Sequence, residues 1–371
     1  MSSITVLGAG MVGRAMAIDL AKKHSVTSAD LRKKNLDLLP AGIKKVEADL
    51  SDQNQIREMI GDADLVIGAV PGFMGFRMLK TVIESKKNIV DISFFPEDAL
   101  ELDELAKKNG VVAIVDCGVA PGMDNIILGY HAERMQVENF LCLVGGLPFK
   151  RTMPFQYKAP FSPADVLEEY TRPARYVVNG KIVVMPALSE VEDIHFDEVG
   201  TLEAFNSDGL RSLMQTMKVP NMKEKTLRYH GHAKLMKQLR EMGFFSHEEI
   251  SVRGQKVKPI DVTSAIFFPK WKYHEGEDEF TVMRVVVEGK ENGKPKTYQY
   301  DLFDRYDQQT KTSSMERTTG YTCTAAANMV LDGLYSQKGI SPPEYLGKDE
   351  KCFRFMLDYL KERNVIYRLN H

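Results

Sequence analysis

Apolar and polar positions alternate along this chain in two rhythms. Up to about residue 120, short unbroken apolar runs at 4–7, 25–29, 43–49, 65–70, 88–93 and 111–116 are separated by amphipathic segments. The separators near 14–23, 75–85 and 98–108 carry apolar residues at helical spacing, and the stretch after Asp30 is basic and helical in character. Strands without an alternating polar face are buried on both sides, as in a parallel sheet covered by helices. The expectation is an α/β domain with a doubly wound parallel sheet over residues 1–125. After Asn125 the runs lengthen, with strands expected at 137–145, 176–184, 258–268, 281–288 and 296–303. Asn179-Gly180 and Asn292-Gly293 read as hairpin turns. Helices are expected at 163–170, 207–216 and 232–242, giving a largely antiparallel α+β domain over 126–313. From Ser314 the pattern is helical again, notably 322–334 and 349–363, and residues 314–371 are expected to pack back on the first domain.

Composition narrows the partners more than the fold. The 371 residues carry a formal net charge of −2, with 43% hydrophobic and 27% charged residues. That balance gives no electrostatic reason to expect nucleic acid or an anionic membrane. No apolar run approaches the ~20 residues of a membrane span, and the chain enters a strand at once without a signal-peptide pattern. Cys117, Cys142, Cys323 and Cys352 show no C-x-x-C spacing, which suits free thiols in a cytoplasmic setting and argues against a zinc site.

The chemistry starts at the first turn. The strand over 4–7 runs into Gly8-Ala9-Gly10-Met11-Val12-Gly13, a G-x-G-x-x-G that opens a helix. Gly8 permits the bend, Gly10 lets backbone approach a diphosphate, and Gly13 lets helix pack on strand. Met11 and Val12 present the first helical N–H groups and the positive end of the dipole to the phosphates. Asp30 ends the second strand roughly 20 residues on, where a carboxylate accepts bonds from the ribose hydroxyls of NAD and repels the 2′-phosphate of NADP. Arg32 lies close enough that NADP stays open. Asp49, Val70, Pro71, Asp91, Ser93, Asp116 and Gly118 end the following strands and are expected to line one ligand cleft.

Further segments carry a resemblance that covers nearly the whole chain. They are Val115-Asp116-Cys117-Gly118-Val119-Ala120-Pro121-Gly122-Met123-Asp124-Asn125, Ala159-Pro160-Phe161-Ser162-Pro163 with 169–175, the run 200–211 through Asn206, the run 225–229 through Thr226, and Thr318-Thr319-Gly320-Tyr321-Thr322. Together they resemble the saccharopine reductase and lysine 6-dehydrogenase family. The resemblance implies a Rossmann domain, an inserted α+β domain that binds an amino acid and supports a homodimer, and a nicotinamide cofactor. Saccharopine reductases of that family carry an acid where this chain has Ala120 and a carboxylate-binding arginine where it has Ser207. The closer likeness is therefore to the lysine enzyme, with L-lysine as substrate and Asn206 and Thr226 among its contacts. Saccharopine, a carboxylated polyamine, and a non-catalytic NAD-binding protein are the alternatives.

Removing hydride from an ε-carbon requires a neutral amine, so a base must first take a proton. Asp116 is the first candidate, with Asp91 and Asp124 behind it. The distal carboxylate calls for a fixed arginine, Arg211 or Arg228, with Arg172 and Arg175 in reserve. His230-Gly231-His232 lacks a third ligand at metal spacing, so no metal is expected, and Cys117 reads as a packed thiol rather than a nucleophile.

Overall fold

The computed structural model describes residues 1–274 and 276–370. The chain divides into two compact units. The first comprises Met1–Gln136, Lys290–Lys294 and Met315–Tyr367, and the second Val137–Gly289, Pro295–Ser314 and Arg368–His371. The change of rhythm after Asn125 thus precedes the structural boundary, because the helix Met123–Ala132 stays with the first unit.

In the first unit, β1 (Ser3–Leu7), β2 (Ser25–Asp30), β3 (Lys44–Glu47), β4 (Leu65–Gly68), β5 (Asn88–Asp91) and β6 (Val112–Ile114) form one sheet in the order 3-2-1-4-5-6. Every registered pair is parallel. The order reverses between β1 and β4, so a crevice opens beyond their carboxyl ends, where ligands of doubly wound sheets bind. Ile4, Val6, Leu65, Val66, Ile67, Ile89 and Val90 are wholly buried, as their unbroken apolar runs require. Asp52 and Asp98 start the helical segments Gln53–Ile60 and Ala99–Leu102 by accepting from Asn54 and Leu100 amides.

The tail departs from its helical reading. Gly339–Ser341 is a seventh strand, parallel to β6 at the sheet edge. The helix Ser314–Leu331 lies along α1 (Met11–Leu20), where Gly320 meets Val12 and Met16. Asp19 of α1 is 1% exposed at its side chain and accepts from Thr324 Oγ1 (2.7 Å), Tyr359 Oη (2.8 Å) and Arg363 Nε (2.9 Å). Burial pushes its carboxyl up, but these partners outweigh burial and hold it below the usual range.

The second unit is built on a mixed sheet whose registered pairs are largely antiparallel, as expected, with one parallel pair among the described residues. Of β7 (Gln136–Pro148), β8 (Ala174–Val178), β9 (Lys181–Met185), β10 (Glu192–Phe196), β11 (Gly200–Asn206) and β12 (Asn221–Arg228), four order as 10-11-12-7, followed by Glu279–Glu291, Lys294–Arg305 and Tyr367–Asn370, while β8 pairs with β12 and β9 with β8. β12 runs parallel to β7 and antiparallel to β11. The expected strand at 258–268 is instead the helix Pro259–Trp271. Pro259 occupies its first turn, and Ile260, Thr263, Phe267 and Trp271 bury at helical spacing, so its apolar run is a helix's inner stripe. The expected helix at 207–216 shrinks to Leu213–Thr216 behind an ordered loop. Among the described residues no helix is long and apolar enough to cross a membrane.

Candidate active site

The first unit builds its turn around three glycines with different duties. Gly8 sits at φ +112°, and a Cβ there would overlap the Ala69 carbonyl. A Cβ at Gly13 would overlap the Gly8 carbonyl, so helix and strand approach through that missing atom. Around Gly10 nothing lies within 4 Å of a Cβ position, which leaves open space over the start of α1. Asp30 is fixed from several sides. Its Oδ2 accepts from the Ala9 amide at 2.9 Å, its Oδ1 from the Arg32 amide at 2.7 Å, and both oxygens meet Asn35 Nδ2 at 3.2 Å. The open space over Gly10, the unpaired N–H groups of a helix start and the fixed carboxylate of Asp30 fit a dinucleotide's diphosphate and ribose. Met11 and Val12 lie in that first turn, and Pro71 precedes the helix Gly72–Glu84 just after Val70. Asp49 is engaged locally: its Oδ1 accepts from the Ser51 hydroxyl (2.7 Å) and amide (2.9 Å), which hold its carboxyl below the usual range. It shapes its own loop.

Asp91 and Asp116 follow β5 and β6 and are tied together, because the Cys117 amide donates to the Asp91 carbonyl at 3.0 Å. Asp91 is fully buried, with Oδ1 accepting from the Ser93 hydroxyl at 2.8 Å and Oδ2 without a partner among the described residues. Burial drives its carboxyl up to about 7, against the bonds from Ser93 and with a push from Asp116. Asp116 keeps 6% exposure and a left-handed backbone, φ +51°. Asp124 starts the helix Met123–Ala132, accepts from the Gly122 amide at 2.9 Å, and is likewise raised to about 7 by burial and by Glu344 nearby. Asp91 and Asp124 are wholly buried, and Asp116 is the most exposed of the three at 6%. Gly118 closes this junction: its amide donates to the Asp116 carbonyl, and Thr319 packs over it. The Cys117 thiol is wholly buried, and burial together with Asp116 and Asp91 pushes it far up, so it stays a packed thiol.

In the second unit the sheet separates residues expected to share one substrate site. Asn206 pairs with Lys225 and Phe205 with Thr226, so Asn206 projects from the opposite face to Thr226 and Arg228. Asn206 Nδ2 donates to Ser189 Oγ (3.1 Å) and Glu190 Oε2 (3.2 Å). Thr226 Oγ1 donates to Ser207 Oγ at 2.9 Å. Arg228 is 2% exposed and committed internally, to Glu169 at 2.6 Å, to the Tyr157 and Tyr170 hydroxyls at 3.4 Å and to the Leu227 carbonyl at 2.9 Å. Burial lifts the Glu169 carboxyl while Arg228 pulls it back. Arg211 is 9% exposed, at φ +49° on the loop that Asp208 fastens to Arg175 with bonds of 2.9 and 2.8 Å. Arg172 pairs with Glu168. His232 is buried between Tyr170 Oη and the Phe155 carbonyl, and burial drives it down to about 3, whereas His230 is exposed. Among the described residues no three His, Cys, Asp or Glu groups assemble for a metal.

Sequence reading passed over Asp19, Glu169 and Glu316, because each acquires its role from a partner far away along the chain. A carboxylate on the apolar helix 11–20 was the one available signal for Asp19.

A doubly wound parallel sheet with this turn is the frame of an oxidoreductase that uses a nicotinamide nucleotide. Comparison with known proteins matches residues 4–114 to the saccharopine dehydrogenase NADP binding domain and residues 118–366 to the saccharopine dehydrogenase C-terminal domain. The chain belongs to the saccharopine dehydrogenase family. It is 27% identical over 288 residues to alpha-aminoadipic semialdehyde synthase of Arabidopsis thaliana, covering 67% of this chain but only 27% of that protein. It is 23% identical to saccharopine dehydrogenase (NADP+, L-glutamate-forming) of Schizosaccharomyces pombe over 98% of both chains. The fold matches apo saccharopine dehydrogenase (L-Glu forming) from Saccharomyces cerevisiae with a TM-score of 0.80, at 20% identity over 100% of this chain and 99% of that one.

Proposed function

We propose that this protein oxidises the ε-carbon of L-lysine with NAD+, releasing ammonia and giving 2-aminoadipate 6-semialdehyde, which closes on its own α-amine to a cyclic imine. The observation that carries this reading is Ser207, 5% exposed and bonded to Thr226, a small neutral side chain at the position where the family resemblance implies an arginine in saccharopine reductases. Ala120 supports it, because the family's acid is missing there. Asp30, anchored by two backbone amides, favours the ribose hydroxyls of NAD over a 2′-phosphate. The S. pombe relative is named for NADP+, so the choice of NAD+ is tested apart from the choice of amine.

In this reading Asp116 takes a proton from the ε-ammonium group, and the neutral nitrogen's lone pair assists loss of hydride. Bound nicotinamide supplies the hydride acceptor. Water adds to the resulting iminium, and proton return to nitrogen expels ammonia. The balance is lysine, NAD+ and water to aldehyde, NADH, ammonium and one proton.

A second reading, oxidation of saccharopine with release of glutamate, is supported by the full-length likeness to the S. pombe enzyme. The two separate in one assay. The protein is offered lysine or saccharopine with NAD+ at alkaline pH, and NADH, ammonia, glutamate and the o-aminobenzaldehyde adduct of the cyclic imine are measured. Lysine-dependent NADH and ammonia are expected. Glutamate release from saccharopine, with lysine inert, would replace this reading by the second.

A further inference from the structure

We infer that Arg14 is a diphosphate-binding side chain of the coenzyme site and that Glu316 holds it in place. The inference rests on the coenzyme reading above and not on the choice of amine.

Arg14 follows the third glycine of the turn and is the only cation on α1. Side chains on a helix lean toward its N-terminus and cover the turn before their own Cα. Arg14 therefore reaches back over the first turn, where the space around Gly10 is open. Its side chain is 25% exposed, while Glu316, whose Oε1 it meets at 2.8 Å, is 3% exposed. One end of the pair is thus anchored in the protein and the other still faces solvent. Glu316 stands in the first turn of the helix Ser314–Leu331, which Gly320 brings onto Val12 and Met16. That packing places the carboxylate and limits the guanidinium to positions beside the glycine turn. An arginine donates in a fixed fork, so an oxygen of Glu316 and an oxygen of a diphosphate can be served by different N–H groups at once. Backbone N–H groups alone would leave the second negative charge of a diphosphate without a matching cation.

The test needs no amine and no turnover. ADP-ribose and NADH are titrated against wild type, Arg14→Met, Arg14→Lys and Arg14→Met/Glu316→Gln, with thermal unfolding of the free proteins alongside. Arg14→Met is expected to weaken both ligands about tenfold, as for loss of one charge-assisted bond. It also removes the cation bonded to the buried Glu316 carboxylate and lowers the Tm, and the double variant should recover the Tm while binding stays weak. Arg14→Lys should recover part of the affinity and the salt dependence that a phosphate contact brings. Wild-type affinity for ADP-ribose in the double variant would overturn the inference and leave a purely structural pair. Wild-type protein that binds neither ligand would overturn the coenzyme reading, and this inference with it.

Discussion

Replacing Asp30 by Asn tests the coenzyme site through its best-determined carboxylate. In the native turn Oδ2 accepts from the Ala9 amide and Oδ1 from the Arg32 amide, at 2.9 and 2.7 Å. A carboxylate can face two donors, whereas an Asn presents one oxygen and one NH2 group. One of the two amides would therefore meet a donor. Ala9 is 1% exposed, so an unsatisfied amide there carries the full penalty of a buried donor, about 1–3 kcal/mol. Loss of the charged acceptor for the ribose hydroxyls adds about 1.5–3 kcal/mol to the binding deficit. NADH affinity should fall roughly 10- to 100-fold, since 1.4 kcal/mol is a factor of about ten. NADPH should lose less, because its 2′-phosphate no longer faces a negative charge. The assay is fluorescence titration of both reduced coenzymes, with urea unfolding of the free protein. Unchanged selectivity between NADH and NADPH would refute the assignment of Asp30 to the ribose. Unchanged unfolding would refute the claim that it braces the glycine turn.

Asp116→Asn should leave NADH affinity near normal and lower turnover by at least about a hundredfold at neutral pH, with part returning at alkaline pH as more lysine arrives neutral; near-normal turnover would demote Asp116 to a turn residue. Asp19→Asn should destabilise the protein by about 1.5–3 kcal/mol in urea unfolding, because the half-buried Arg363 guanidinium loses its bond to the charged carboxylate and keeps, among the described residues, only Glu362, at 3.7 Å, as counter-charge. The native Asp19 carboxyl lies below its unfolded value near 4, so its contribution is complete above about pH 4 and is lost as pH falls through the folded value. That acid-side slope should be shallower in the variant. Gly13→Ala should abolish NADH binding or folding while Gly10→Ala folds normally, since only the Gly13 Cβ would meet backbone, and circular dichroism with NADH titration distinguishes these outcomes.

The sequence by itself determined the parts whose signal is local. The glycine turn, Asp30 at the end of β2, the unbroken runs of β4 and β5 and the Asn179-Gly180 hairpin all follow from backbone freedom, period and burial within a few residues. The family segments did the same for the domain plan and the class of chemistry. Tertiary structure decided the rest, for reasons of distance and face. The run 258–268 reads equally as strand or helix until the core it packs against selects four buried positions at helical spacing. Asn206 and Thr226 are both expected among the substrate contacts, yet strand register sends them to opposite faces. Gly339–Ser341 is three residues long, too short to carry a period, and becomes a strand only because β6 offers an open edge. The roles of Asp19 and Glu316 come from partners about 300 residues away, on helices whose own sequences say nothing of where they dock. Buried charge is legible in a sequence only as a polar residue out of place, and its partner is chosen by the fold.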